Sequence, residues 1–479
     1  MEEFMVCENF THPKLMKFFE EISAIPRASY HEEKISEYLV NFAKARGLEY
    51  YCDKVGNVLI NMPASCGREN EDPILFQGHT DMVCEKNEGV EHDFSKDPLK
   101  LYEKDGWLRA KGTTLGADNG VAVAVMLALL DGAAESHRAM QCLFTVSEEV
   151  GLDGAKEFDY SRIYARKMIN MDSADETLIT AGCAGGLRSN LEIPVCREDT
   201  DGNALKISIK GLFGGHSGED IHRGRANANK LMGRVLAACL SECEDLRLVN
   251  VSGGTKENAI PRESEAIVMC KDTEAVRKIA NRISREIKEE LCADDKAFTL
   301  KIEQLDKHCE VMTADSTQKV IFFLSAVANG VFERSSELSG IVEYSRNLGI
   351  VSTDKNKFEA VLNTRSARDS QIDCSVIEID LYAKQLSGSS NHYNRYPGWV
   401  YAESSEIRDE YAKAYKALFG KTPEVEVIHA GLECGIIKSA IPDMDMISCG
   451  PIVVNLHSPD EALNLASFKR FFDVILTLV

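Results

Sequence analysis

The residues with the most chemical capacity sit where apolar runs stop. Ile74-Leu75-Phe76-Gln77-Gly78 is followed at once by His79-Thr80-Asp81, an imidazole and a carboxylate two positions apart. In extended chain, positions i and i+2 face the same way. Both side chains can therefore enter one site, with Asp81 orienting the His79 ring or ligating beside it. Cys142-Leu143-Phe144-Thr145-Val146-Ser147 ends in Glu148-Glu149, and Met168-Ile169-Asn170-Met171 ends in Asp172. Asp118 lies in the Gly-rich stretch Gly112-Thr113-Thr114-Leu115-Gly116-Ala117-Asp118-Asn119-Gly120, which enters the apolar run 121–130, and His457 follows Ile452-Val453-Val454. Each feature alone has an ordinary explanation: a hydrogen-bonded pair, a helix N-cap at Asp118, or a solvated or capping carboxylate at Glu148-Glu149. Together they describe His, Asp and Glu converging at strand ends, a donor set suited to hard or borderline divalent metals. His79, Asp118, Glu148 or Glu149, Asp172 and His457 supply one bridging carboxylate and about two further ligands for each of two ions. A two-metal site activates water at neutral pH and polarises a carbonyl. Of the adjacent glutamates one can ligate while the other accepts the proton of that water; spacing alone does not say which.

The elements that must hold these residues follow from the patterning. The apolar segments 58–60, 74–76, 142–147 and 168–171 read as strands, and 121–130 as a buried helix. Ligands in open α/β sheets collect outside the carboxyl ends of the strands. From about residue 187 the pattern changes to strands with one wet face. The order strand, helix, strand, strand, helix runs from 205 to 291 and again from 298 to 385. Gly211-Leu212-Phe213-Gly214-Gly215-His216-Ser217-Gly218 forms a Gly-rich turn within the first repeat. Residues 388–398, rich in Ser, Asn, Tyr and Pro, read as a linker before helix 406–419, strand 425–428 and a closing helix. The expected domains are 1–186 and 399–479, forming one α/β catalytic body, and an inserted 187–398. The insertion is read as two tandem β-α-β-β-α units, about 187–295 and 296–398, of α+β type.

Bulk properties limit the partners. The chain has 479 residues, too many for a single core. Its 55 Lys and Arg against 76 Asp and Glu give a net charge of −21, which disfavours nucleic acid and anionic membrane surfaces. The run 121–130 is about half the length that spans a bilayer. The 15 Cys are scattered singly, with Cys7, Cys52, Cys66 and Cys84 the first of them, and contain no CxxC pair. No basic–apolar leader precedes them, since the chain starts Met1-Glu2-Glu3. Reduced thiols in a cytoplasmic protein are expected.

Seven blocks of residues carry a resemblance over essentially the whole chain. They are 78–83 (Gly-His-Thr-Asp-Met-Val), 109–120, 148–155, 214–218, 258–263 (Asn-Ala-Ile-Pro-Arg-Glu), 429–435 (His-Ala-Gly-Leu-Glu-Cys-Gly) and 457–461 (His-Ser-Pro-Asp-Glu). In these the chain resembles the di-zinc exopeptidases of the glutamate-carboxypeptidase-like group, and within it the branch acting on aminoacyl-histidine dipeptides. The resemblance implies a mixed central sheet flanked by helices, with the insertion serving as a lid. It implies two Zn2+ per subunit, replaceable by Co2+ or Mn2+, with His79 and Asp172 on one ion, Glu149 and His457 on the other, and Asp118 bridging. Glu148 would be the general base and Asp81 the buttress of His79. His216 would help hold the oxyanion, and Asn258 and Arg365 would grip the substrate, Arg365 through its carboxylate. A cis peptide between Asp118 and Asn119 is implied as well. The implied activity is hydrolysis of unblocked small dipeptides by a monomer or homodimer. The rivals are deacylation of N-acyl amino acids at the same site, a cysteine hydrolase using Cys84, and a metal-binding scaffold without turnover. A scaffold predicts a damaged ligand set, and every ligand position here is filled.

Overall fold

The computed structural model describes residues 6, 10–306, 310–336, 338 and 340–479. Met1-Glu2-Glu3 and Cys7 lie outside the described residues. The chain divides into two compact units. One comprises Met1–Cys183, Trp399–Val427 and Leu432–Val479; the other comprises Ala184–Gly398 with Ile428–Gly431.

The first unit is built on an eight-stranded mixed sheet. Its centre is parallel: Met140–Thr145, Ile74–His79, Lys167–Asn170 and Asp445–Ser448 lie side by side in that order. Antiparallel strands Val58–Met62 and Glu49–Cys52 extend one side, and Leu178–Cys183 pairs antiparallel on the other. Every residue of Ile74–His79 and Met140–Thr145 is buried. Strands covered on both faces read as mostly apolar runs without alternation, and in these two the buried exceptions are Gln77, His79, Gln141 and Thr145. The helix Ala117–Leu130 packs on the Ile74–His79 strand and on the helix Pro13–Ser23. Nearly all of its residues are buried, as its run of Val, Ala and Leu without a polar face requires.

The second unit has a nine-stranded sheet sharing one core with the helices Ala228–Glu242, Thr273–Glu290, Ala314–Ala326 and Asp369–Gln385. The repeated order of elements is present, but strand pairing crosses the expected division into two contiguous units. Thr299–Leu305, expected to open the second repeat, pairs with Asn203–Lys210 of the first. Gly185–Pro194, which precedes both repeats, pairs with Lys357–Ser366 of the second. Element order says which pieces exist; pairing is decided by which edge offers a free ladder and a matching apolar face. The expected linker also needs correction. Ser389–Tyr396 is a strand paired with Gly185–Pro194. Its row of Ser, Asn, His and Arg is mostly exposed or half-buried at the sheet edge, so it lacks the apolar alternation that marks a strand in sequence.

Among the described residues no helix is long and apolar enough to cross a membrane. The described cysteines are all free.

One packing constraint fixes how closely the buried helix approaches the strand that carries His79. A Cβ added to Gly78 would lie 2.3 Å from both the Ala122 Cβ and the Asn119 Oδ1. Gly78→Ala is therefore expected to destabilise the protein by about 1–3 kcal/mol. The denaturant midpoint checks this, and an unchanged midpoint contradicts the packing described.

Candidate metal centre

The parallel strands end together, and their ends deliver the donors. His79 is the last residue of its strand; Glu148 and Glu149 follow the strand Met140–Thr145, and Asp172 follows Lys167–Asn170. Between Thr145 and the glutamates the chain turns sharply. Ser147 has a positive φ of 52°, and its N–H and hydroxyl both donate to the buried Glu32 carboxylate at 2.7 and 2.8 Å. Asp118 arrives at the mouth of the buried helix, where its φ/ψ are not helical. The Asp118–Asn119 peptide is cis. His457 lies in a more exposed loop, also with positive φ.

These residues form a single cluster. His79 Nε2 lies 3.0 Å from Asp118 Oδ1 and 3.7 Å from Asp172 Oδ1. His457 Nε2 lies 3.2 Å from Asp118 Oδ2 and 3.1 Å from Glu149 Oε1. Each Asp118 oxygen thus faces a different histidine. Donor atoms of His79, Asp118 and Asp172 fall within 4.8 Å of one another, as do those of Asp118, Glu149 and His457, and those of His79, Glu148 and Glu149. Tetrahedral coordination with bonds of about 2 Å separates donors by roughly 3.3 Å, close to the spacings seen here. The donor chemistry, imidazole nitrogen with carboxylate oxygen, also suits a borderline divalent ion. Buried Glu149 Oε1 makes no hydrogen bond of proper geometry despite its nearness to His457. By donor type and spacing these residues fit the binding of divalent metal.

Electrostatics record the crowding. Burial opposes a charge on His79, yet Asp118, Asp172 and Asp81 raise its pKa well above the ordinary imidazole value. Asp118 and Glu149 lift His457 to about 10. Burial likewise opposes ionisation of Asp118, but His457 and His79 hold its carboxyl far below the usual range. Burial raises Asp172 and raises Glu148 well above its ordinary value, with Asp172, Glu433 and Glu149 adding to the effect.

Asp81 does more than face the ring. Its Oδ1 lies 3.2 Å from His79 Nδ1 and accepts from the Glu148 N–H at 3.0 Å. Its Oδ2 accepts from the Glu149 N–H at 3.2 Å and from the Ser29 hydroxyl at 2.7 Å. One buried carboxylate thus orients a histidine and pins the backbone of both glutamates.

Several supporting residues were not visible as such in the sequence. Glu461 accepts the backbone N–H groups of Leu115, Gly116, Ala117 and Asp118 at 2.7 to 3.3 Å. Arg27, fully buried, donates to the carbonyls of Thr80, Asp81 and Gly116. Glu433 is buried without any exposure and bonds Gln77 and Thr145. Glu433 stands out only as a charged residue in the apolar, Gly-containing block 429–435, and Glu461, in the polar block 457–461, does not stand out at all. Arg27 carried none.

The remaining candidates lie in the second unit. The short strand Gly215–His216 pairs with Ala259–Ile260, and the Ser217 N–H donates to the Asn258 carbonyl at 2.8 Å. His216 Nδ1 accepts from the Glu219 N–H at 3.2 Å. Burial and the Arg365 cation lower its pKa, so the neutral ring carries its proton on Nε2. Arg365 is buried and donates to the Tyr396 hydroxyl at 3.1 Å, while its Nε has no partner. His429 bonds the Ser345 hydroxyl at 2.7 Å and is pushed down to about 3 by burial and Arg365. His216, Arg365 and His429 thus influence one another within this unit.

Comparison with known proteins agrees with this architecture. The model of peptidase family M20/M25/M40 matches residues 75–479. The cytosol non-specific dipeptidase of Escherichia coli K12 is 39% identical over 469 residues, 97% of this chain and 96% of that protein. The solved structure of aminoacylhistidine dipeptidase from Vibrio alginolyticus aligns with a TM-score of 0.93 at 36% identity, covering 99% of this chain and 98% of that one. Aminopeptidase PepT from Bacillus cereus shares the fold, with a TM-score of 0.57 at 16% identity over 98% of each chain. The His- and carboxylate-bearing strand ends lie inside the matched span, and the chain belongs to peptidase family M20/M25/M40, a hydrolase of peptide bonds.

Proposed function

We propose that this chain hydrolyses unblocked dipeptides, including aminoacyl-histidine dipeptides, at a centre holding two zinc ions, with Co2+ or Mn2+ as substitutes. The observation that carries the reading is Asp118, whose two oxygens face His79 at 3.0 Å and His457 at 3.2 Å. The substrate class is supported by the names of the relatives from Escherichia coli and Vibrio alginolyticus, each matched over nearly its whole length. His79 and Asp172 would hold one ion, Glu149 and His457 the other, and Asp118 would belong to both. Two such ions supply Lewis acidity toward a carbonyl and make water acidic at neutral pH.

The chain's own groups do the rest. Glu148, pinned through its N–H by Asp81, takes a proton from the attacking water as the oxygen joins the peptide carbon. It returns that proton to the departing amine nitrogen as the C–N bond breaks. Asp81 keeps the His79 ring turned toward Asp118. His216 presents its Nε2–H to the developing oxyanion, and Asn258 and Arg365 grip the substrate, Arg365 by pairing with its carboxylate. The insertion 187–398 is read as a lid for these groups, serving its own chain or a second copy. Free cysteines and the name of the Escherichia coli relative support a cytoplasmic location.

Glu148→Ala is expected to retain its metal and lose at least about 100-fold in kcat. Metal analysis beside dipeptide turnover checks this, and near wild-type turnover would show that Glu148 is not the base. Chelation followed by zinc restoration should abolish and then recover hydrolysis of a dipeptide panel that includes substrates ending in His. Preference for N-acyl amino acids in the same assay would favour deacylation instead. Activity that survives chelation but falls to a thiol reagent would move the chemistry to Cys84.

A further inference from the structure

A carboxylate that makes no ion pair among the described residues lies behind the cluster. Glu433, in the first turn of the helix Glu433–Ala440, is completely buried. Its Oε2 accepts from Gln77 Nε2 at 2.5 Å and from the Thr145 hydroxyl at 2.8 Å, while its Oε1 has no hydrogen-bond partner. Burial pushes its carboxyl up to about 7, and His79 is the first charge acting against that. As a contribution to folding this is a poor arrangement. An apolar side chain of similar size would avoid the cost of desolvating a carboxylate satisfied by two neutral donors.

The bonds leaving Glu433 lead to the strands that carry the donors. Gln77 lies two residues before His79 on the same strand, and its register partner is Asn170. Gln77 Oε1 accepts from Asn170 Nδ2 at 2.6 Å, and Asn170 Oδ1 accepts the Asp172 N–H at 3.2 Å. Thr145 closes the strand that precedes Glu148 and Glu149; its carbonyl accepts the Thr80 N–H at 2.8 Å. All four side chains are fully buried. The network touches each of the three strand ends, one link away from His79, the glutamate pair and Asp172.

We propose that Glu433 is a positioning residue for the metal centre. Through Gln77, Thr145 and Asn170 it fastens the three donor-bearing strand ends in one register. This rests on reading those donors as metal ligands. Outer partners of ligands typically change metal affinity by about 10–100-fold when removed.

The test uses the full chain, stripped by chelation and titrated with Co2+, whose visible bands report ligand geometry. Glu433→Ala is expected to bind Co2+ about 10–100-fold more weakly than wild type, with altered bands. Glu433→Gln keeps an acceptor for Gln77 and Thr145 and should restore wild-type bands and most of the affinity. A Glu433→Ala protein with wild-type affinity and bands would overturn the proposal. Should that variant not fold, Gln77→Met, which cuts the link from Glu433 to Asn170, is read by the same two signals: weaker binding with altered bands supports the proposal, and no change overturns it. A wild-type protein that took up no Co2+ would overturn the metal-centre reading itself, an outcome distinct from unchanged binding by the variants.

Discussion

Mutual repulsion among carboxylates is the constraint on which this architecture depends. Asp81, Asp118, Glu148, Glu149 and Asp172 meet where three parallel strands end, in a place where burial penalises every one of their charges. The chain lowers that cost in two ways. His79 and His457 lie among the carboxylates: Asp118, Asp172 and Asp81 act against burial to raise His79, Asp118 and Glu149 raise His457, and both imidazoles act against burial to hold Asp118 down. Backbone N–H groups help as well: two for Asp81, and four for Glu461, which lies beside Asp118. What these groups leave uncompensated is negative, and a pair of divalent cations is the natural complement.

Convergence of this kind needs rigid delivery. A parallel sheet brings the carboxyl ends of distant segments to one edge, so donors separated by nearly a hundred residues start from adjacent strands. Fine placement then depends on supports that never face substrate. Glu461 holds the N–H groups and Arg27 the Gly116 carbonyl of the loop before Asp118, and Asp81 ties the glutamate turn to the histidine strand. The absence of a side chain at Gly78 lets the Ala117–Leu130 helix sit close enough to bring Asp118 to His79. The second unit gathers its own set, in which burial, with the Arg365 cation adding to it, lowers both His216 and His429.

Much of this was legible in the sequence, because local pattern and chemistry coincide there. The buried strands announce themselves as apolar runs, and His79, Glu148, Glu149 and Asp172 follow directly because strand ends point outward in a predictable place. The helix 121–130 is legible for the same reason, having no polar face at all. Where local pattern was silent, reading failed. Ser389–Tyr396 looked like a linker because an edge strand is not required to alternate. Thr299–Leu305 opens the second repeat in element order yet pairs with Asn203–Lys210 of the first, because pairing is a choice between edges, which no single strand encodes.

The sequence by itself determined the donor types, their spacing and the elements that end in them, since these depend on neighbours a few positions apart. Only the tertiary structure decided which oxygen of Asp118 faces which histidine. It alone also showed that Asp81 serves His79 and both glutamates at once, that Glu433 bonds Gln77 and Thr145, and that Glu461 holds the N–H groups leading to Asp118. Apart from Asp81 with His79, those relations join residues 39 to 356 positions apart. They follow from strand order and helix packing, where the energy is spread over many long-range contacts and no short stretch of chain carries it.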